Sequence, residues 1–136
     1  MYAQQYHPRP TLNAPTSSRV ILSVDDEVGV LYSRQMLLQA AGYDVVSAYD
    51  GQQALDFFAS APIDLVVLDY SMPGINGEQV ARRIKASRPD LPIILVSGLL
   101  MDTETLSCVD GFFAKGESPA LLLEKIDQLL RPALPT

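Results

Sequence analysis

The chain has 136 residues, enough for one domain with its own core, and 48% of them are hydrophobic, which excludes a disordered chain. A formal net charge of −6 argues against a nucleic-acid binder, which would carry a basic face. Cys108 is the only cysteine and His7 the only histidine, so an internal disulfide, a multi-His zinc site and a histidine-based nucleophilic triad are all excluded. No apolar run approaches the roughly 20 residues of a membrane span. The N-terminus lacks the charged-then-apolar layout of a signal peptide, so the expected compartment is the cytoplasm.

Residues 1–18 hold His7 among Pro, Gln, Ser and Thr and are expected to be a disordered tail. The domain then occupies 19–131, and 132–136 form a short C-terminal tail. Val20–Val24 predicts a strand. Glu27–Ala41 predicts a helix, with Leu31 and Leu38 on one face and Gly42 as its stop. Tyr43–Ala48 is a second strand, and Gln52–Ser60 a short helix closed by Pro62. Ile63–Asp69 is nearly all apolar, as a strand buried on both faces must be. Glu78–Arg88 is a helix with Val80 and Ile84 inward, and Pro92–Ser97 a fourth strand. Asp102–Cys108 has only a weak apolar stripe and predicts a short helix that opens locally. Gly111–Lys115 is a fifth strand. Ser118 is placed as an N-cap with Pro119 at the first helical position, and Leu122, Ile126 and Leu129 form the inward stripe of the last helix.

Five strands, each followed by a helix, predict an α/β fold: a doubly wound parallel sheet with helices on both faces. Ligands of such sheets bind at the carboxyl ends of the strands. Those ends carry Asp25 and Asp26, then Asp69, then Ser97 with Gly98, then Lys115. Each residue has an ordinary explanation taken alone. Asp25, Asp26 and Glu27 can cap a helix, Asp69 can open a turn, and Lys115 can be a solvated charge. The joint set at one rim is what points to chemistry. Like charges a few Å apart repel by about 4 kcal/mol at an effective dielectric near 20, and a hard cation such as Mg²⁺ offsets that. Such a cation also neutralises an incoming phosphoryl group, a carboxylate can take that group as an aspartyl-phosphate, and Ser97 and Lys115 can donate to its oxygens.

"VDDE" after the first strand, "LDYSMPGINGEQV" after the third, "VSG" after the fourth and "FFAKG" at the fifth resemble the response-regulator receiver domain of two-component signalling, in its stand-alone form. The resemblance spans about residues 19–131 and implies a five-stranded flavodoxin-like sheet of strand order 2-1-3-4-5. It implies Asp69 as phosphoacceptor. Asp26, Asp69 and the Ser71 carbonyl would bind Mg²⁺ directly, and Asp25 mainly through water. Ser97 would be the switch hydroxyl, Lys115 the phosphoryl contact and Phe112 the switch aromatic, while Pro73, Gly74 and Gly77 match the turn into the third helix. It further implies a histidine kinase or histidine phosphotransfer protein as donor, no nucleic acid or membrane partner, output by protein–protein contact, a monomer or weak dimer, and no enzymatic activity beyond the chain's own phosphoryl uptake and slow autodephosphorylation.

Two departures stand out. Gly116 follows Lys115 where the family usually has proline, and the stretch from Ser97 to Lys115 is roughly one turn short, which falls on the fourth helix. Three other readings compete. An aspartyl-phosphate phosphatase usually has a second Asp where Ser71 stands. A nucleotide or flavin binder lacks its Gly-rich loop, since "SVDDEVGV" follows the first strand. A degenerate receiver would act only as a phosphorylation-independent interaction module.

Overall fold

A computed structural model describes residues 6–7 and 18–131. The elements in chain order are β1 (Tyr6–His7), β2 (Val20–Val24), α1 (Val28–Ala40), β3 (Asp44–Ala48), α2 (Gly51–Ser60), β4 (Leu65–Asp69), α3 (Gly77–Ser87), β5 (Ile93–Ser97), α4 (Thr103–Leu106), β6 (Gly111–Ala114) and α5 (Pro119–Leu130). The sheet runs β1-β3-β2-β4-β5-β6. Its five parallel strands, numbered among themselves, stand in the order 2-1-3-4-5. β1 pairs antiparallel with β3, Tyr6 opposite Val46, and so adds a two-residue edge. That pairing corrects the expected disorder for Tyr6 and His7. The rest of both expected tails lies outside the described residues, apart from Ser18.

Strand alternation sorts the core into two layers. Leu22, Val24, Val46, Val66, Leu68 and Leu95 face Ala54 of α2 and Val80, Ala81 and Ile84 of α3. Ile21, Val45, Leu65, Val67, Ile94 and Val96 face Leu38 of α1 and Leu122 and Ile126 of α5. β2, β4 and β5 are buried along their whole length, which explains their unbroken apolar runs. Gly42, at φ +102°, closes α1. Asn76 and Gln79 form a reciprocal capping box on α3, and Asp50 and Ser118 cap α2 and α5.

α4 is shorter than the Asp102–Cys108 expected, a single turn of 4 residues. Polar contacts tie it to α3, and Met101 and Cys108 flanking it pack on the core. Asp102 Oδ1 accepts from the Thr105 N–H at 2.7 Å, and the buried Thr105 hydroxyl donates to Glu78 Oε1 of α3 at 2.9 Å. Arg82 donates to the other Glu78 oxygen at 2.8 Å and reaches the Glu104 carbonyl at 3.4 Å.

Gly77 sets how closely α3 approaches the end of β4. A β-carbon there would lie 2.5 Å from the Asp69 carbonyl oxygen and 2.8 Å from Tyr70 Cα, both rigid backbone atoms. Gly77→Ala is therefore expected to destabilise the protein by about 1–3 kcal/mol through overpacking. A denaturant titration checks this, with an unchanged midpoint as the contrary result.

Candidate functional site at the carboxyl edge of the sheet

The site is assembled by the sheet itself. Asp25 follows β2 directly, and its N–H continues the ladder to the Ala48 carbonyl at 3.2 Å. Asp69 is the last residue of β4 and is fully buried. Because β2 and β4 are neighbours in parallel register, their ends meet. The carboxylates of Asp25, Asp26 and Asp69 each offer an oxygen within 4.8 Å of the others. Ser97 ends β5, two strands from Asp25, and is buried. Lys115 lies one residue past β6, and its N–H bonds to the Ser97 carbonyl at 2.8 Å, so the backbone ladder carries it to the same rim.

The three carboxylates differ in their surroundings. Asp25 is buried and both its oxygens are engaged: Oδ1 accepts from the Glu27 N–H at 3.0 Å, and Oδ2 takes Arg34 Nη2 at 3.5 Å. Asp26 is exposed. Asp69 meets Lys115 Nζ at 3.1 Å from Oδ1, an ion pair, yet neither of its oxygens accepts an aligned hydrogen bond from a described residue. Burial pushes the Asp69 pKa above its ordinary value, the Asp25 charge adds to that, and the Lys115 ammonium opposes it. Burial lowers the Lys115 pKa, but Asp69 together with the charges of Asp25 and Glu27 outweighs it, and the net direction is up. Of the helix-cap explanation for the acidic run, the structure shows one contact at the start of α1, Asp25 Oδ1 accepting from the Glu27 N–H. Glu27 occupies the N-cap position of α1 without a side-chain cap bond.

The remaining predicted residues are at or near this rim. Ser97 Oγ accepts from the Leu99 N–H at 3.0 Å. Ser71 is exposed in the loop two residues past Asp69, ahead of Gly74 at φ +81°. Phe112 is half-buried and packs on the α2–α3 layer, whereas Phe113 is buried on the opposite one. After Lys115 the chain turns on Gly116 at φ +96°, a conformation glycine adopts without steric cost. Glu117 ties this turn by accepting from the Ala114 N–H at 2.9 Å.

The sequence reading overlooked Arg34. It is buried on α1, and Nη1 donates to Ser23 Oγ of β2 at 3.3 Å while Nη2 meets Asp25. Its signal was its spacing, three residues after Leu31 and four before Leu38, on the buried stripe of the helix.

A family model described as the response regulator receiver domain matches residues 21–127. The chain belongs to the response-regulator receiver-domain family. Response regulator MprA of Mycolicibacterium vanbaalenii is 35% identical over 119 residues, covering 85% of this chain and 52% of that protein. Response regulator GtcR of Aneurinibacillus migulanus is 30% identical over 120 residues, covering 85% and 49%. The receiver chain thus spans about half the length of the curated relatives it matches. Among solved structures, response regulator protein TrrA of Thermotoga maritima in complex with Mg²⁺ and BeF aligns with TM-score 0.79 at 35% identity, covering 82% of this chain and 99% of that one. A chain from the complex of histidine kinase ThkA with TrrA aligns with TM-score 0.78 at 35% identity, covering 83% and 99%. A CheY-like receiver domain protein of Methanospirillum hungatei aligns with TM-score 0.78 at 28% identity, covering 84% and 94%. Among the described residues, no helix is long and apolar enough to cross a membrane.

The raised Asp69 pKa has a definite sign for stability. A carboxyl whose folded pKa exceeds its unfolded value binds more protons in the folded state between the two. Without added metal, its contribution to stability falls as pH rises through that window. Asp69→Asn is accordingly expected to raise metal-free stability at neutral pH by about 1 kcal/mol, or roughly 3–5 °C in Tm. The gain should shrink as pH is lowered toward the ordinary carboxylate range. Melting curves of both proteins in EDTA across pH 4–8 would check this. A lower Tm for the variant at neutral pH would contradict it.

Proposed function

We propose that this receiver takes a phosphoryl group from a phosphohistidine of a histidine kinase or histidine phosphotransfer protein onto Asp69, with Mg²⁺, and signals by protein–protein contact. The observation that carries the reading is the state of Asp69. A fully buried carboxylate with no aligned hydrogen bond from the described residues, beside two further carboxylates and a lysine, leaves oxygen lone pairs available to a cation and a reacting group.

The donor set fits a hard cation, being all oxygen with no nitrogen or sulfur. Asp26, Asp69 and the Ser71 carbonyl would hold Mg²⁺ directly. Asp25, with both oxygens engaged, would act through water. When bound, Mg²⁺ supplies charge neutralisation for the phosphoryl oxygens and for the carboxylates themselves. Asp69 then attacks phosphorus: a P–O bond forms, the P–N bond to imidazole breaks, and the leaving imidazole takes up a proton. Lys115 pairs with a phosphoryl oxygen as its contact to Asp69 is released. The Ser97 hydroxyl, which accepts from Leu99, keeps its proton to donate to another. Hydrolysis of the aspartyl-phosphate is slow, so the chain acts as a switch and not as an enzyme on other substrates. The compartment consistent with this chemistry is the cytoplasm.

Phosphohistidine donors are themselves supported by similarity: TrrA, which this chain resembles, has been seen in complex with a histidine kinase. Incubation with acetyl phosphate and Mg²⁺, followed by intact mass, is expected to add one phosphoryl group, base-labile and absent without Mg²⁺. Asp69→Ala should abolish it. Equal uptake by that variant would reject Asp69 as the acceptor, and no uptake by the wild type would favour the phosphorylation-independent module. Lys115→Ala is expected to slow uptake by about 10²-fold, the usual loss for one charged group at a developing oxyanion, while Mg²⁺ binding persists. Stopped-flow uptake rates at matched Mg²⁺ saturation measure this, and an unaltered rate would remove Lys115 from the reacting set.

A further inference from the structure

Arg34 has no place in the reading above, yet it is the second cation beside the acidic cluster. Its guanidinium is buried, as is the Asp25 carboxylate it meets at 3.5 Å. Burial lowers the Arg34 pKa, while the charges of Asp25 and Asp69 both raise it, so its field extends beyond the one contact. Guanidinium stays protonated in proteins, which makes this a permanent positive charge beneath the rim. Three carboxylates face one half-exposed ammonium and one buried guanidinium.

We infer that Arg34 is a built-in counter-cation for Asp25, a positioning residue that competes with the divalent ion and sets how tightly the site takes it. The inference rests on the proposed Mg²⁺-dependent reading of the same site. Two contacts do the positioning. The fork bridges Ser23 Oγ on β2 and Asp25 Oδ2, so it holds Asp25 against the strand end while the Glu27 N–H occupies the other oxygen. A cation entering among Asp25, Asp26 and Asp69 meets the repulsion of Arg34 as well as the attraction of the carboxylates. A cavity of about 620 Å³ between α1 and α5 is lined by Arg34 together with Glu27 and Glu117. When the ion draws Asp25 toward itself, the guanidinium can turn toward these carboxylates and avoid being left buried without an anion.

The test is Mn²⁺ binding to the full chain, with free Mn²⁺ counted by its paramagnetic resonance signal. Arg34→Gln keeps a polar side chain and removes the charge, Arg34→Met removes both, and Arg34→Lys keeps the charge. Gln and Met are expected to bind Mn²⁺ about tenfold more tightly than wild type, the scale of one partly screened charge contact, and Lys within about twofold. By linkage, the two neutral variants should lose stability in EDTA and regain more of it than wild type when Mn²⁺ is added. Folded neutral variants with unchanged or weaker Mn²⁺ binding would overturn the inference, as would variants that stay unfolded at saturating Mn²⁺, because the ion would then be no substitute for the guanidinium. A wild-type chain that binds no Mn²⁺ would overturn the proposed function and this inference together.

Discussion

Everything at the carboxyl edge of the sheet depends on holding the Asp69 carboxylate in a buried position beside Asp25. In water two such charges would separate. Here the parallel pairing of β2 and β4 fixes them side by side, and the hydrogen-bond ladder that does so also buries Val24 and Leu68 immediately beneath. The apolar core therefore supplies the free energy that keeps the carboxylates together. Two cations limit the remaining cost, Lys115 from the solvent side and Arg34 from below. Among the described residues, none gives the Asp69 oxygens an aligned hydrogen bond, a condition stable proteins rarely tolerate without a ligand or a reaction to account for it.

The helices serve this arrangement unequally. α3 begins with a glycine because a side chain would strike the backbone of Asp69 and Tyr70, so the start of that helix rests directly on the strand end that carries Asp69. α1 supplies Arg34 from its buried face and leaves Val28, Tyr32 and Met36 exposed on the other. α5 and α2 mainly close the two core layers. The same sheet thus divides the labour: its interior provides cohesion and its carboxyl edge gathers the charged groups, where ligands of parallel α/β folds generally bind.

Much of this was legible in the residues. Apolar runs ending in Asp25, Asp69 and Ser97 placed three strands and their chemistry at once, because a strand buried on both faces has no alternative to an apolar run. Gly42 and Ser118 marked helix ends through backbone conformation and capping. What was not legible depended on tertiary partners. Arg34 looks like a surface residue until its position between Leu31 and Leu38 is joined to the location of Asp25. The extent of α4 was overestimated because "TETLSCVDG" can form more than one turn locally, whereas the chain past Ser107 tightens into i→i+3 turns, the Cys108 N–H bonding to the Thr105 carbonyl at 3.2 Å and the Val109 N–H to the Leu106 carbonyl at 3.3 Å. β1 was missed because two residues carry no periodicity.

The way α4 is fastened has a thermal consequence. A helix held by apolar packing exposes hydrocarbon when it opens, and the heat capacity rises with it, so its stability curves with temperature. The turn at Thr103–Leu106 is tied to α3 by the Thr105 hydroxyl, the Glu78 carboxylate and the Arg82 fork, groups that exchange partners with water on opening. Its opening then carries enthalpy with little change in heat capacity. The balance between closed and open forms of this turn is then expected to vary more nearly linearly with temperature than the stability of the sheet beneath it, which follows the broad dome of a hydrophobic core. On this account the segment beside Asp69 and Ser97 is expected to loosen over a range of temperatures in which the scaffold holding Asp69 hardly changes.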